Sequence, residues 1–303
     1  MVTPPRPLGA AIGLAADAAL GEPRVEPHPI AVLGDALGAL ERRAYRDSRG
    51  AGVAHAATGV VIGAIAGRAL QSTAAATYLA VAGRALGDAA IDVRRALDSG
   101  DLDEARRRVP ALVGRDPAAM DEKELSRAAV ESVAENTVDA IVAPALWGAL
   151  LGAPGATAYR AVNTMDSMIG HHTPRYERYG WAAARLDDVA GWVPARLTAA
   201  LVAAVRPRSA GRVWRAVRRD APAHPSPNAG VAEAAFAAAL GLRLGGTNHY
   251  AGAVDVRPPL GDGRPAERDD IDAAVRLSRD VTAALSVVLA GVGIALLIRR
   301  RGE

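Results

Sequence analysis

From Val281 to Ile298 the chain runs for eighteen residues without a charge, and it then ends in Arg299-Arg300-Arg301. At 1.5 Å per residue such a run, as a helix, comes close to the roughly 30 Å of a bilayer's hydrocarbon core. Inside lipid only a helix or a closed barrel satisfies its own backbone, and no strand-period alternation accompanies this run. The fold is therefore read as all-α and polytopic, a single integral-membrane domain over residues 1–303. A second long apolar run, Ala51–Gly83, is interrupted only by Arg68. Shorter ones lie at Pro7–Leu20 with Asp17, at Ala140–Tyr159, and at Val189–Val205 with Arg196. Alone, the short runs read equally well as buried helices of an Ala-rich core. The first is expected to be an uncleaved helix, since Asp17 interrupts it and no clear cleavage site follows. Polar helical regions are expected at 84–137, 163–188 and 207–280.

Charge is too abundant, at 23%, for a chain that lies wholly in lipid. There is no Cys, which excludes disulfides, thiolate metal sites and Cys nucleophiles. Lys123 is the one lysine among 36 basic residues, so no GxxxxGK[ST] phosphate loop exists and anions must be held by Arg, backbone N–H groups or a metal. Aromatic residues make up only 4%, too few for the stacking surfaces of a nucleic-acid binder. The arginines of residues 206–219 read as a cytoplasmic juxtamembrane segment.

Three constellations could carry chemistry. In ESVAENTVDAIVAP, Glu131, Glu135 and Asp139 recur at i, i+4 and i+8, so they share one helix face with Asn136 beside them. Like charges so spaced repel unless something positive intervenes, and the stripe leads into an apolar segment where solvation fails. A solvated helix face is the ordinary alternative. The second constellation spans Asn163 to Asp188 and holds Asn163, Asp166, His171, His172, Arg175, Tyr176, Arg185, Asp187 and Asp188. This density of carboxylate, amide and guanidinium suits a phosphorylated substrate with a hard cation, for which Asp139, Asp187 and Asp188 are the candidate ligands. Arg175 or Arg185 is expected to offset the carboxylates. The third, HPSPNAGVAEAAFAAALGLRLGG, places His224 before a helix capped by Ser226 or Asn228 and ended by Gly245-Gly246, with its first N–H groups facing an anion. The GAPG turn at Gly152–Gly155 suggests that Ala140–Tyr159 enters and returns as a re-entrant helical hairpin.

These runs together, with YRAVNTMDSMIGHHTPRYERYGWAAARLDDVAGWVPARL, His28-Pro29, Gly114-Arg115-Asp116 and the NHYAG at Asn248, resemble the CobD/CbiB family of adenosylcobinamide-phosphate synthases. The pair His171-His172 departs from the family's pattern and weakens a specific role for His172. The resemblance implies a multi-pass protein of the bacterial inner membrane with a cytoplasmic active site. It implies amide formation between the propionate carboxyl of adenosylcobyric acid and aminopropanol or its phosphate, with other cobalamin-assembly enzymes as partners. A carboxylate does not condense with an amine unactivated, so ATP with Mg²⁺ is the expected driver. On this reading Glu131, Glu135, Asp166, His171 and His224 are candidate catalytic groups. His28, Asn136, Asn163, Arg175, Tyr176, Arg185, Ser226, Asn228 and Asn248 are candidate substrate contacts. The three constellations are expected to meet at one cavity. The rival readings are a prenyl- or phosphatidyl-type transferase, which should carry a duplicated acidic motif absent from this chain, and a non-catalytic scaffold or transporter.

Overall fold

The computed structural model describes residues 4–23, 25–250 and 253–302. It is 76% helical, with thirteen α-helices and one small sheet among the described residues. Three helices are long and apolar enough to cross a membrane: α3 (Arg49–Leu70), α10 (Trp181–Val205) and α13 (Arg268–Gly302). The chain separates into two compact units. The first comprises residues 1–82, 139–194 and 285–303, and the second residues 83–138 and 195–284.

In the first unit α1 (Arg6–Leu20), α2 (Pro29–Ala44), α3, α4 (Thr73–Ala80), α8 (Ala143–Leu151) and α9 (Ala153–Ile169) pack with the first part of α10 and the end of α13. Its close contacts are made by missing side chains. Gly59, Gly63 and Gly67 recur every fourth residue along α3 and lie against Met165, Ala161 and Thr157 of α9, where a Cβ would collide. Gly9 and Gly13 of α1 meet Thr73 and Thr77 of α4 in the same way. Small residues at this spacing let helix backbones approach where lipid tails supply no hydrophobic drive for association. Thr157 seals the pair by donating its hydroxyl to the Gly63 carbonyl at 2.7 Å.

Two of the apolar runs are divided. Ala51–Gly83 is not one helix: α3 ends at Leu70, where Gln71 takes a left-handed conformation (φ 54°), and Ser72 caps α4. Ala140–Tyr159 is divided too: it turns at Gly152 (φ 77°) between α8 and α9. A π-helical turn, Val138–Val142, precedes it.

The second unit contains α5 (Gly83–Asp98), α6 (Leu102–Arg108), α7 (Glu122–Thr137), α11 (Ala210–Arg219), α12 (Ala229–Leu240), the later part of α10 and the earlier part of α13. Asp121 and Glu124 close a reciprocal capping box at the start of α7, at 2.8 and 2.9 Å. At twelve residues α12 is too short to span, and it is buried along nearly its whole length. The helix ends at Leu240 with left-handed Gly241, not at Gly245-Gly246. Those two glycines stand in β1 (Leu242–Tyr250), which pairs antiparallel with β2 (Ala253–Leu260) and parallel with the short β3 (Arg264–Pro265). This sheet falls in a region expected to be helical. Gly245 and Gly246 take φ of 81° and 103° at the register shift between Leu244 and Gly246, a bulge open to glycine and strained for any other residue.

Candidate functional site

Helix α7 presents Glu131 and Glu135 on one face, as their spacing demands, and the second unit surrounds that face with arginines. Glu131, 1% exposed, pairs with Arg115 at 2.6 Å and accepts the Gly245 N–H at 2.8 Å. Arg127, one turn earlier on α7, stands 3.9 Å from it and donates to the carbonyls of Gly245 and Thr247. The glycine bulge of β1 is thus held between a carboxylate and a guanidinium. The charge that offsets the stripe comes from Arg115 and Arg127, not from Arg175 or Arg185. Arg175 pairs with Glu41 at 3.0 Å and lies over the Tyr45 ring, and Arg185 pairs with Asp188 at 3.1 Å.

A third carboxylate completes the group. Glu233, on α12, has no exposed surface, and neither of its oxygens makes a hydrogen bond. His224 Nε2 and Arg257 Nη1 are its nearest opposite groups, at 3.8 and 3.9 Å. Burial, with Glu131 and Glu135 nearby, drives the Glu233 carboxyl well above the ordinary range. Burial also raises Glu135, against the pull of Arg257 and Arg115. His224 is lowered, chiefly by burial, and is neutral at pH 7. Its Nδ1 lies 3.1 Å from both the N–H and the carbonyl of Ser226, while Arg257 is 3.4 Å from Nε2. A guanidinium can only donate, so Arg257 engages the Nε2 lone pair, while Nδ1 has both a donor N–H and an acceptor carbonyl of Ser226 within reach.

Beside this cluster opens a cleft of about 420 Å³. Lys123, Arg127, Arg243 and Arg257 line it, against Asp121 and Glu124. On β1, Asn248 is 2% exposed and neither end of its amide has a partner. A buried amide left wholly unsatisfied is rare and marks a place for water or a ligand.

The 224–228 turn does not present an open helix N-terminus. Ser226 Oγ accepts the N–H groups of Asn228 and Ala229 at 3.3 and 3.1 Å, and Val231 N–H turns to the Asn228 carbonyl. Asn228 Oδ1 receives Arg196 at 3.2 Å instead of capping. With these donors satisfied, no phosphate is called for at that point. Asn136 is likewise spent on its own helix, through Ser132.

The remaining candidates lie in the first unit. Asp139 opens the π-turn and accepts the Tyr159 hydroxyl at 3.4 Å. Asn163 Nδ2 stands 3.5 Å from both Asp139 and Asp187, so these three gather. Asp188 is turned to Arg185. Asp166 sits half-buried in the last turn of α9, where its carbonyl accepts Gly170 N–H. His171 and His172 are exposed and engage the Ser167 carbonyl and Glu177. Tyr176 donates to Glu41 at 3.0 Å, and His28 caps α2 by accepting Ile30 N–H.

Among the described residues no three His, Asp or Glu side chains form a metal cage. Asp139 and Asp187, joined by the Asn163 NH2 group, still fit Mg²⁺, which binds through one or two carboxylates and takes its other ligands from water and phosphate. Glu131 does not fit a metal ion, because Arg115 and Arg127 already offset its charge.

Comparison with known proteins decides the family. The model of the CobD/Cbib protein family matches residues 10–278. The chain belongs to that family. A Mycobacterium tuberculosis relative, named cobalamin biosynthesis protein CobD, is 47% identical over 98% of this chain and 97% of its own. Relatives of the same name from Geobacter metallireducens and Pelobacter propionicus are 42% and 39% identical, over 81% and 94% of the chain and 83% and 94% of their own lengths. No solved structure matches. For this member of the CobD/Cbib family, sequence reasoning missed Glu233 and Arg257. Glu233 lies inside a quoted motif but carries no spacing signal, and Arg257 reaches the cluster only through the sheet.

Proposed function

We propose that this protein works in cobalamin biosynthesis as an ATP-dependent, Mg²⁺-dependent synthase of the inner membrane with its active site on the cytoplasmic side. It joins the propionate carboxyl of adenosylcobyric acid to the amine of aminopropanol phosphate. The observation that carries the reading, beside family membership, is a group of three glutamates, two of them wholly buried, with a neutral histidine beside a basic cleft. An amino-alcohol phosphate has an ammonium and a phosphate a few bonds apart, and this arrangement complements both ends. Lys123, Arg127 and Arg243 hold the phosphate, which favours the phosphate ester over the free amino-alcohol. Glu135 attracts the ammonium. His224, neutral and beside Arg257, is the base proposed to take its proton.

The free amine then attacks the activated carboxyl carbon, and phosphate leaves as the C–N bond forms. Activation transfers the γ-phosphoryl of ATP to the carboxylate and releases ADP. In the first unit, Asp139 and Asp187 would hold Mg²⁺, which would supply charge neutralisation to phosphate oxygens. Asn248 offers a donor and an acceptor for an amide, such as those on the corrin periphery.

Membranes containing the protein are expected to consume ATP only when adenosylcobyric acid and the amine are supplied together. Consumption with either alone, or amide formation without ATP, would overturn the reading.

A further inference from the structure

A second cleft, of about 400 Å³, opens in the first unit and belongs to none of the groups above. It is bounded by the start of α1, the last turn of α3, the start of α4, the α8–α9 turn and the end of α13. Arg6, Arg68 and Arg300 line it, and no carboxylate does. Arg6 gives one donor to the Leu150 carbonyl at 3.0 Å. Arg68 and Arg300 have no ion-pair or hydrogen-bond partner among the described residues. Three guanidiniums from distant parts of the chain repel one another unless an anion joins them.

The placement says which anion. Arg68 closes α3 and Arg300 closes α13, two of the three helices fit to cross a membrane. The turns leading to them expose Val61 and Ile65 on α3, and Ile294, Leu296 and Ile298 on α13. The cleft therefore lies where apolar, outward-facing helix surface gives way to charge, the level of the phosphate in a lipid headgroup. A soluble anion would need only the arginines. A phospholipid also uses the apolar flank for its chains.

We propose that this cleft binds the phosphate headgroup of an anionic phospholipid, held by Arg68 and Arg300 with Arg6 behind them. The site is separate from the proposed amide-forming chemistry and stands or falls independently of it.

Purified protein in a mild uncharged detergent is titrated with phosphatidylglycerol, phosphatidylcholine or inorganic phosphate, and the thermal unfolding midpoint is followed. Phosphatidylglycerol is expected to raise the midpoint saturably, while the other two leave it unmoved. Arg68→Gln and Arg300→Gln should each weaken the apparent affinity roughly tenfold, the usual loss of a charge-assisted hydrogen bond. Arg208→Gln, the same charge loss on an exposed arginine of the second unit, should not. Native mass spectrometry of the detergent-solubilised wild type should retain a phosphatidylglycerol adduct that both Gln variants lose, a readout that does not depend on their stability. An equal shift with phosphatidylcholine, an equal shift with inorganic phosphate, or unchanged affinity in both variants would overturn the proposal.

Discussion

The two units of this chain solve opposite problems with the same Ala-rich alphabet. Among the described residues, every exposed large apolar side chain except Trp214 and Val256 belongs to the first unit. That unit faces outward with Val, Ile, Leu and Trp and packs inward through glycine. The second unit does the reverse. It buries Glu131, Glu233, His224, Arg115 and Asn248, and spends arginines on making that burial tolerable. In lipid the outside is the apolar phase, so helix contacts depend on close approach and fit. In water the core is the apolar phase, and charge placed there is expensive enough to imply use. The difference is the one expected where one region faces lipid and the other keeps buried charge among paired groups.

The largest effect should come from the chemistry. Glu135→Gln is expected to lower turnover about a hundredfold or more while leaving the protein folded in detergent, measured as amide formation by purified protein. Asp166→Asn, in the first unit, is expected to act as strongly, and near-normal turnover there would confine the chemistry to the Glu131 group. Next comes the buried pair. Arg115→Met strands Glu131 and should destabilise by about 3–5 kcal/mol in denaturant unfolding, as breaking a buried ion pair does. Gly63→Val should cost a similar amount by prising α3 from α9.

Smaller and more diagnostic is the pH response. Glu233 is protonated in the fold above its ordinary range, so the folded state binds a proton that the unfolded state has released. Its contribution is full below about pH 4.5 and is lost as pH rises through the elevated folded value. His224 has the opposite sign, because burial depresses it. Its contribution is present above about pH 6.5 and is lost as pH falls toward the lowered folded value. Glu233→Gln should therefore gain thermal stability over wild type at pH 8 and little at pH 5, compared in the same detergent. An equal gain at both would remove the carboxyl's titration from the account. The smallest effects belong to the outward face of the first unit. Val288→Ala should change stability in detergent by less than about 0.5 kcal/mol, whereas Phe236→Ala, wholly buried in α12, should cost about 3–5 kcal/mol.

The helical fold class and the apolar stretches of α3 and α13 were legible because hydrophobic run length speaks directly to helix and bilayer, whereas Val189–Val205, the apolar part of α10, read equally well as a buried helix. That Glu131 and Glu135 share one face of α7 was legible as well, since their i, i+4 spacing fixes it. The β1–β2 hairpin was not, because LRLGGTNHY offers glycines where alternation should be, and the bulge that explains them needs its partner strand. Capping was misjudged for a similar reason. Ser226 satisfies two backbone donors at once, so a turn that resembled an anion site closes on itself. Arg175 and Arg185 stood nearest in sequence to the second acidic group, yet Arg175 pairs with the distant Glu41 and Arg185 with its neighbour Asp188, while Arg115 and Arg127 reached Glu131.

Because the chain has no Cys, single cysteines can report which unit meets lipid without background labelling. Val61→Cys and Val288→Cys would be compared with Arg208→Cys, all exposed positions, in native membranes and again after detergent solubilisation and unfolding. Each would be treated with a charged, membrane-impermeant maleimide in membranes opened to both sides. The account predicts that the two valine positions stay unlabelled in membranes and react only once unfolded, while position 208 reacts in both. Labelling of Val61→Cys and Val288→Cys in intact bilayers at the rate of Arg208→Cys would contradict it.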